Sequence, residues 1–249
     1  EGGISILYYA ERLYQLPLAL FGISIGTVLL PTLSGLDIKK DLDKFNLVIR
    51  NIIKFSLIMI IPSAVGLSII SVPLISVIYE HGMFNQVNTI NVAKALIAFS
   101  LGLPAFVLIK IYLPIFYSLG DTRTPLFYSI ISVFINLGIA LALFKPLGII
   151  GIAISTSISS WINLFLLIRG SKKYKINIST KKLYRDFFKI IFSVIFMSCY
   201  ILVISDYIGH LHIILQLLIL VFSGAFIYFL ILFVLGVLNK NDIVNIVKN

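Results

Sequence analysis

Apolar residues in this chain come in long unbroken runs, not in alternation. The runs are Ile4–Leu33, Ile52–Ile78, Val92–Leu119, Pro125–Phe144, Leu147–Ile168, Phe187–Ile204 and Ile213–Leu238. A helix needs about 20 apolar residues to cross the hydrocarbon core of a bilayer. Each run meets that requirement, and Gly, Pro, Asn or charge clusters separate them. The pattern predicts an all-α, polytopic membrane helix bundle of about seven transmembrane helices. A membrane barrel would instead show strands of about 10 residues with apolar positions alternating, and no such segment is present.

The predicted helices are interrupted. Pro17 and Pro31 fall in the first, Pro62 and Pro73 in the second, Pro104 and Pro114 in the third. Proline frees the carbonyl one turn before it and kinks the axis. In a membrane such a break needs a neighbouring helix or a wet cavity to satisfy the freed group. Three broken helices in succession suggest a moving carrier, with a static packing kink as the other reading of each. Gly22 and Gly26 form a small-residue step that lets another backbone approach. In the fifth segment Ser155, Thr156, Ser157, Ser159 and Ser160 follow Gly148 and Gly151. Their hydroxyls can bond back to their own helix or across to a neighbour, for packing in preference to a substrate path. Trp161 reads as a packing or interfacial aromatic.

Composition agrees with a membrane protein: 59% of the 249 residues are hydrophobic and 12% charged, against about 25% charged in soluble domains. The net charge of +10 does not indicate nucleic acid, because the basic residues cluster in short connections instead of forming one footprint. Lys39, Lys40, Lys44, Arg50, Arg123, Arg169, Lys172, Lys173, Lys175, Lys181, Lys182, Arg185, Lys240 and Lys248 fall on one side. Lys94 and Lys145 fall on the other, and Lys54 and Lys189, at segment ends, are expected to snorkel. The rich side is predicted to be cytoplasmic, so the chain enters from outside and its C-terminus lies inside. A cytoplasmic N-terminus would then need an odd number of upstream helices. With no initiator Met and no basic leader before Gly2 and Gly3, the chain reads as part of a longer protein. Cys199, alone in an apolar run, reads as a small buried hydrophobe and cannot form an internal disulfide.

Two cations lie inside predicted spans, Arg12 and Lys110. Arginine cannot shed its charge, and a charge at mid-membrane costs at least about 2.5–3.5 kcal/mol. Arg12 is therefore a candidate anion-binding group facing a wet cavity; a structural ion pair is the alternative. Tyr8 lies one turn before it, and Gln15 and Leu16 about one turn after, on the same face. Glu11 is about 100° round the helix and is not automatically its partner. Lys110, between Pro104 and Pro114, is a second candidate for the same cavity. Glu80-His81-Gly82 reads as a helix end. His210 and His212, with Asp206 nearby, lack the spacing of a metal site. No phosphate loop, nucleophile elbow or zinc-hydrolase helix occurs, so neither an enzyme, a cofactor nor a metal is expected.

The stretch Leu7-Tyr8-Tyr9-Ala10-Glu11-Arg12-Leu13, then Leu16-Pro17, Phe21-Gly22 and Gly26-Thr27-Val28-Leu29-Leu30-Pro31-Thr32-Leu33-Ser34 closely resembles the lipid II flippase family, MurJ/MviN. Pro62-Ser63-Ala64-Val65-Gly66-Leu67 with Gly82-Met83-Phe84, Phe116-Tyr117-Ser118 with Asp121-Thr122-Arg123-Thr124-Pro125, and Lys145-Pro146-Leu147-Gly148 with Gly151 resemble it in the same order. These three are shared more loosely with drug and polysaccharide-lipid exporters.

The resemblance implies a chain starting at the eighth of fourteen helices. Residues 1–170 would form second-lobe helices of the transporter core, 171–186 a basic cytoplasmic loop, and 187–249 two additional C-terminal helices that form a groove for a lipid tail. It implies alternating-access transport of lipid II, the undecaprenyl-pyrophosphate-linked peptidoglycan precursor, across the bacterial inner membrane. The partners implied are lipid II, membrane lipids and an N-terminal lobe outside this chain. The substrate-binding residues implied or suggested are Arg12, Lys110, Glu11, Gln15 and Tyr8, with Arg12 engaging the pyrophosphate. Glu11 stands where the family usually has Asp, and Gln15 where some members have an acid. Asn136 matches one ligand of a sodium site found in some members, but Ala140 stands where an acid would help, so no sodium is assigned. The alternatives are a related multidrug or polysaccharide-lipid exporter, or an inactive membrane scaffold fragment. A drug antiporter would depend on membrane acids more than on Arg12.

Overall fold

The computed structural model describes residues 3–36, 40–174, 176 and 180–237, and all regular structure among them is helical. Seven helices are long and apolar enough to cross a membrane, one for each predicted run. The first span is composite: α1 (Gly3–Leu18), a π turn (Ala19–Ile23) and α2 (Ser24–Ser34). The π turn starts two residues after Pro17, where the missing proline donor has already interrupted the hydrogen-bond ladder. The second run divides into α3 (Leu42–Ile69) and α4 (Ser71–Tyr79). Pro73 lies in the first turn of α4 and cannot donate back to Ile69, so the break sits at Ile70. The rest are α5 (Gln86–Ser118), α6 (Arg123–Leu147), α7 (Ile149–Ser171), α8 (Lys181–Tyr207) and α9 (Ile213–Val234). Asn85 and Thr180 cap α5 and α8, accepting from the backbone N–H of Asn88 and Leu183.

α5 is the central post, packed by α1, α2, α3, α4 and α7. α6 lies outside α7 with little of its surface covered. α8 and α9 pair with each other and dock on α3 and α4 respectively. Small residues set the closest approaches. A Cβ at Gly102 would sit 2.9 Å from the Ser157 Cα, which brings α5 and α7 nearly backbone to backbone. Gly22 and Gly26 turn toward α5, as the small-residue step predicted: a Cβ at Gly26 would lie 3.2 Å from the Lys110 carbonyl oxygen.

Carbonyls loosened by the prolines find neighbours. Pro114 frees the Lys110 carbonyl, the one that Gly26 approaches. Beside Pro104, the Leu101 carbonyl accepts from Trp161 Nε1 at 2.9 Å. Pro62 frees the Ile58 carbonyl, which accepts from the Tyr228 hydroxyl at 2.6 Å. At Ile58 a neighbouring helix thus provides the compensation that a low-dielectric surrounding demands. The hydroxyls of α7 divide as anticipated. Thr156, Ser159 and Ser160 bond back within α7, Ser155 reaches both its own helix and Asn136 of α6, and Ser157 crosses to the Ala98 carbonyl of α5 at 2.6 Å.

Lys189 donates to the Leu235 carbonyl at 2.6 Å, placing a cation at the C-terminal end of α9 where the helix dipole favours it. Two expectations need correction. Lys54 does not snorkel: its ammonium is 3.1 Å from the Asp186 carboxylate, and both side chains are largely buried between α3 and α8. Cys199 is exposed. α8 packs through Ile190, Val194, Met197 and Ile201, and Cys199 lies off that stripe. An apolar run in a membrane does not distinguish a packed side from a lipid-facing one. In addition, α8 begins at Lys181, inside the expected basic loop. Asp37, Lys39, Lys175, Leu238, Lys240 and Lys248 lie outside the described residues.

Candidate functional site

α1 carries two differently built surfaces. Leu13, Leu16, Pro17 and Leu20 line an apolar groove of about 460 Å³, closed by residues of α3, α4, α8 and α9, among them Met59, Pro62 and Tyr228. Tyr8, Glu11, Arg12 and Gln15 form a polar stripe whose centre is about 140° away at 100° per residue, with Arg12 at its edge next to Leu16. Arg12 and Tyr8 are exposed. The Arg12 guanidinium lies over the Tyr8 ring, 4.7 Å from its centroid, and donates to the Tyr8 hydroxyl. A cation–π contact and a charge-assisted hydrogen bond thus orient the cation without neutralising it.

Glu11 does not partner Arg12. Its Oε1 accepts from Gln15 Nε2 at 3.1 Å and, more weakly, from the Tyr14 hydroxyl at 3.5 Å. Tyr14 is buried against Phe99 and Phe106 of α5, so the acid is tethered toward the α1–α5 seam. The stripe therefore presents a guanidinium outward, with the carboxylate held aside by a neutral amide. Such an arrangement can receive an anion that brings its own charge.

Lys110 is also exposed. Its stem packs beside Gly22, where a Cβ would be 3.7 Å from Lys110 Cγ. Gly22 is ten residues beyond Arg12, so the Lys110 stem meets the first span about 15 Å along it from the Arg12 Cα. Asn136 Oδ1 accepts from Ser155 Oγ at 2.8 Å. Among the described residues no three His, Cys, Asp or Glu side chains gather as a metal group.

The connections at the two ends are braced. Glu80 follows α4 and accepts from Thr89 of α5 at 2.9 Å. Hydrogen bonds from Ser76 and then Thr89 hold its carboxyl below the ordinary value. Tyr9, Tyr79 and Phe84 stack nearby, and with His81 and Asn88 they border a smaller cavity of about 370 Å³. At the opposite end Asp121 accepts from the Tyr174 hydroxyl at 2.5 Å and from the Thr124 hydroxyl and N–H at 2.7 and 3.0 Å. These bonds, Tyr174 first, lower its carboxyl to about 2. Gly120, at φ +74°, makes the turn that delivers it.

The family model described as lipid II flippase MurJ matches residues 1–223. The chain belongs to the lipid II flippase MurJ family. A probable lipid II flippase MurJ of Rickettsia prowazekii is 45% identical over 179 residues, covering 72% of this chain and 35% of that protein. A lipid II flippase MurJ of Thermosipho africanus is 32% identical over 201 residues, covering 81% of this chain and 39% of that protein. A solved structure of lipid II flippase MurJ in an inward closed conformation superposes with a TM-score of 0.78 at 31% identity, covering 93% of this chain and 46% of that one. The chain thus spans about a third of the length of the first of these relatives and under half of the solved structure. MurJ membership and the seven apolar helices make it a multi-pass inner-membrane protein.

Sequence reasoning had singled out each residue of the polar stripe. It passed over Tyr228 and Tyr174, which lie inside or beside apolar runs. Pro62 signalled that a donor was needed, but nothing in the linear order says which helix supplies it.

Proposed function

We propose that this chain is the second half of a lipid II flippase, working together with a first lobe supplied by the rest of a longer polypeptide. Residues 1–170 would build one wall of a central cavity, and the C-terminal helix pair one wall of the apolar groove. Arg12 grips the pyrophosphate, positioned by Tyr8. Lys110 meets the same anionic head at a second level as the cavity opens to the other side. Glu11 and Gln15 set the edge of the binding face. The prenyl tail stays on the apolar side, where the groove between α1, α3 and α9 matches its chemistry. The N-terminal end of the chain is taken to lie outside and the C-terminus in the cytoplasm.

One observation carries this reading: a guanidinium exposed in a membrane span, oriented by a tyrosine, with its nearest acid turned to other partners. A scaffold has no use for so costly a group. The test is Arg12→Ala in cells whose cell-wall synthesis depends on the full-length protein. Lipid II accessible from outside should fall at least about tenfold, and Arg12→Lys should recover only part because it loses the planar fork. Unchanged external lipid II in the alanine variant, at equal protein level, sinks the proposal.

A further inference from the structure

The cavity of about 370 Å³ beside the α4–α5 connection is walled by three aromatic rings, with His81, Met83 and Asn88. Tyr9 comes from α1, Tyr79 from the end of α4 and Phe84 from the turn that follows. The Tyr9 ring lies 4.7 Å from Tyr79 at 47° and 5.6 Å from Phe84 at 87°, so the rings meet as a corner. Gly82, at φ +63°, reverses the chain, and the Phe84 N–H donates to the His81 carbonyl at 3.2 Å. The Glu80–Thr89 bond ties that turn to α5. Among the described residues, neither the His81 nor the Asn88 side chain has a hydrogen-bond partner. The site thus offers flat apolar faces together with an amide and an imidazole free to donate and accept. A sugar ring has the matching chemistry: its C–H faces lie on aromatic rings while its hydroxyls bond to polar tips. An ammonium is less well served. No acid lines the cavity, and Glu80 beside it in sequence is taken by Thr89.

Rings also join this cavity to Arg12. The guanidinium lies over Tyr8, and Tyr8 meets Tyr9 edge-on at 6.3 Å. Tyr9 is three residues before Arg12, about 4.5 Å nearer that end of the helix. We propose that the corner formed by Tyr9, Tyr79 and Phe84 is a subsite for the sugar joined to the pyrophosphate. This rests on Arg12 holding that pyrophosphate, as in the function proposed above. With the diphosphate on Arg12, the neighbouring glycosyl unit lies on the rings, and Asn88 and His81 bond its hydroxyls. The subsite separates the loaded lipid from bare prenyl pyrophosphate, which presents the same anion and the same tail.

The test uses the full-length protein in nanodiscs and three probes: undecaprenyl pyrophosphate, the same lipid carrying its sugars but no peptide, and whole lipid II. Dissociation constants are read for the parent, Asn88→Ala, Tyr79→Leu and Arg12→Ala. The parent should bind the glycosylated, peptide-free probe more tightly than the bare one. Asn88→Ala and Tyr79→Leu should each weaken the glycosylated probe about threefold to tenfold and leave undecaprenyl pyrophosphate unchanged. Arg12→Ala should weaken all three. Asn88 is half-buried and its side chain is unbonded among the described residues, so Asn88→Ala decides the matter if Tyr79→Leu fails to fold. An unchanged affinity of Asn88→Ala for the glycosylated probe overturns the subsite. An equal loss for the bare and glycosylated probes overturns it too, because the corner would then act only through the placement of Arg12. A defect seen with whole lipid II but not with the peptide-free probe assigns the cavity to the peptide and overturns the sugar. Each of these outcomes leaves the Arg12→Ala arm, and hence the transport reading, to stand or fall by itself.

Discussion

At the scale of single residues, Arg12 and Asp121 show two ways of managing charge near a membrane. Arg12 is exposed and braced by an aromatic ring and a hydroxyl. Asp121 lies in a connection and gathers donors from Tyr174 and Thr124, which lower it from 3.8 to about 2. A carboxyl whose folded value lies below its unfolded one stabilises the fold at pH above the unfolded value, and that stability is lost as pH falls through the folded one. The α5–α6 connection should therefore stay anchored to the end of α7 until about pH 2. Tyr174→Phe removes the largest cause and should move the loss to higher pH, toward 3.8. Melting temperatures of the parent and variant between about pH 2 and pH 5 read this directly. Curves with the same pH dependence would show that the tyrosine bond contributes nothing.

At the scale of elements, the C-terminal pair is attached to the transporter core by polar contacts set in an apolar seam. Lys54 and Ile58, one turn apart on α3, meet Asp186 of α8 and Tyr228 of α9. Removing one partner of a buried ion pair costs about 3–5 kcal/mol, whereas replacing both with apolar residues is often neutral. Lys54→Met alone should therefore destabilise the protein strongly, and Lys54→Met with Asp186→Leu should recover most of the loss. Equilibrium unfolding in mixed micelles checks both. If the double variant is as weak as the single one, the pair has some role beyond balancing its own charges.

At the scale of the whole molecule, α1 borders two environments. Its polar stripe adjoins the groove that its Leu13, Leu16, Pro17 and Leu20 help to line, with Arg12 at the edge nearest Leu16. A head group and a hydrocarbon tail can thus be handled on adjoining faces of one broken helix. Gly66 borders the groove, and a Cβ there meets nothing within 4 Å. Gly66→Trp should fill the space without strain, leaving the melting temperature near that of the parent while lowering lipid II transport several-fold. Transport unaffected by a filled groove would remove the tail from the proposed mechanism.

Hydrophobic runs of spanning length determined the seven helices by themselves, because water cannot satisfy a backbone in the bilayer core and a helix can. The same logic exposed Arg12 and Lys110, since a charge inside such a run stands out against its surroundings. Proline positions marked where helices break, and Gly22 and Gly26 marked a close approach. Tertiary structure alone decided partners. It turned Glu11 toward Gln15, set the Lys110 stem beside Gly22, paired Lys54 with Asp186 and left Cys199 exposed. It also chose Tyr228 to serve the carbonyl freed by Pro62. The physical reason is that periodicity along a chain specifies which face of a helix is polar or small. Which other helix meets that face depends on packing between segments far apart in sequence, and an apolar face reads the same whether it meets protein or lipid.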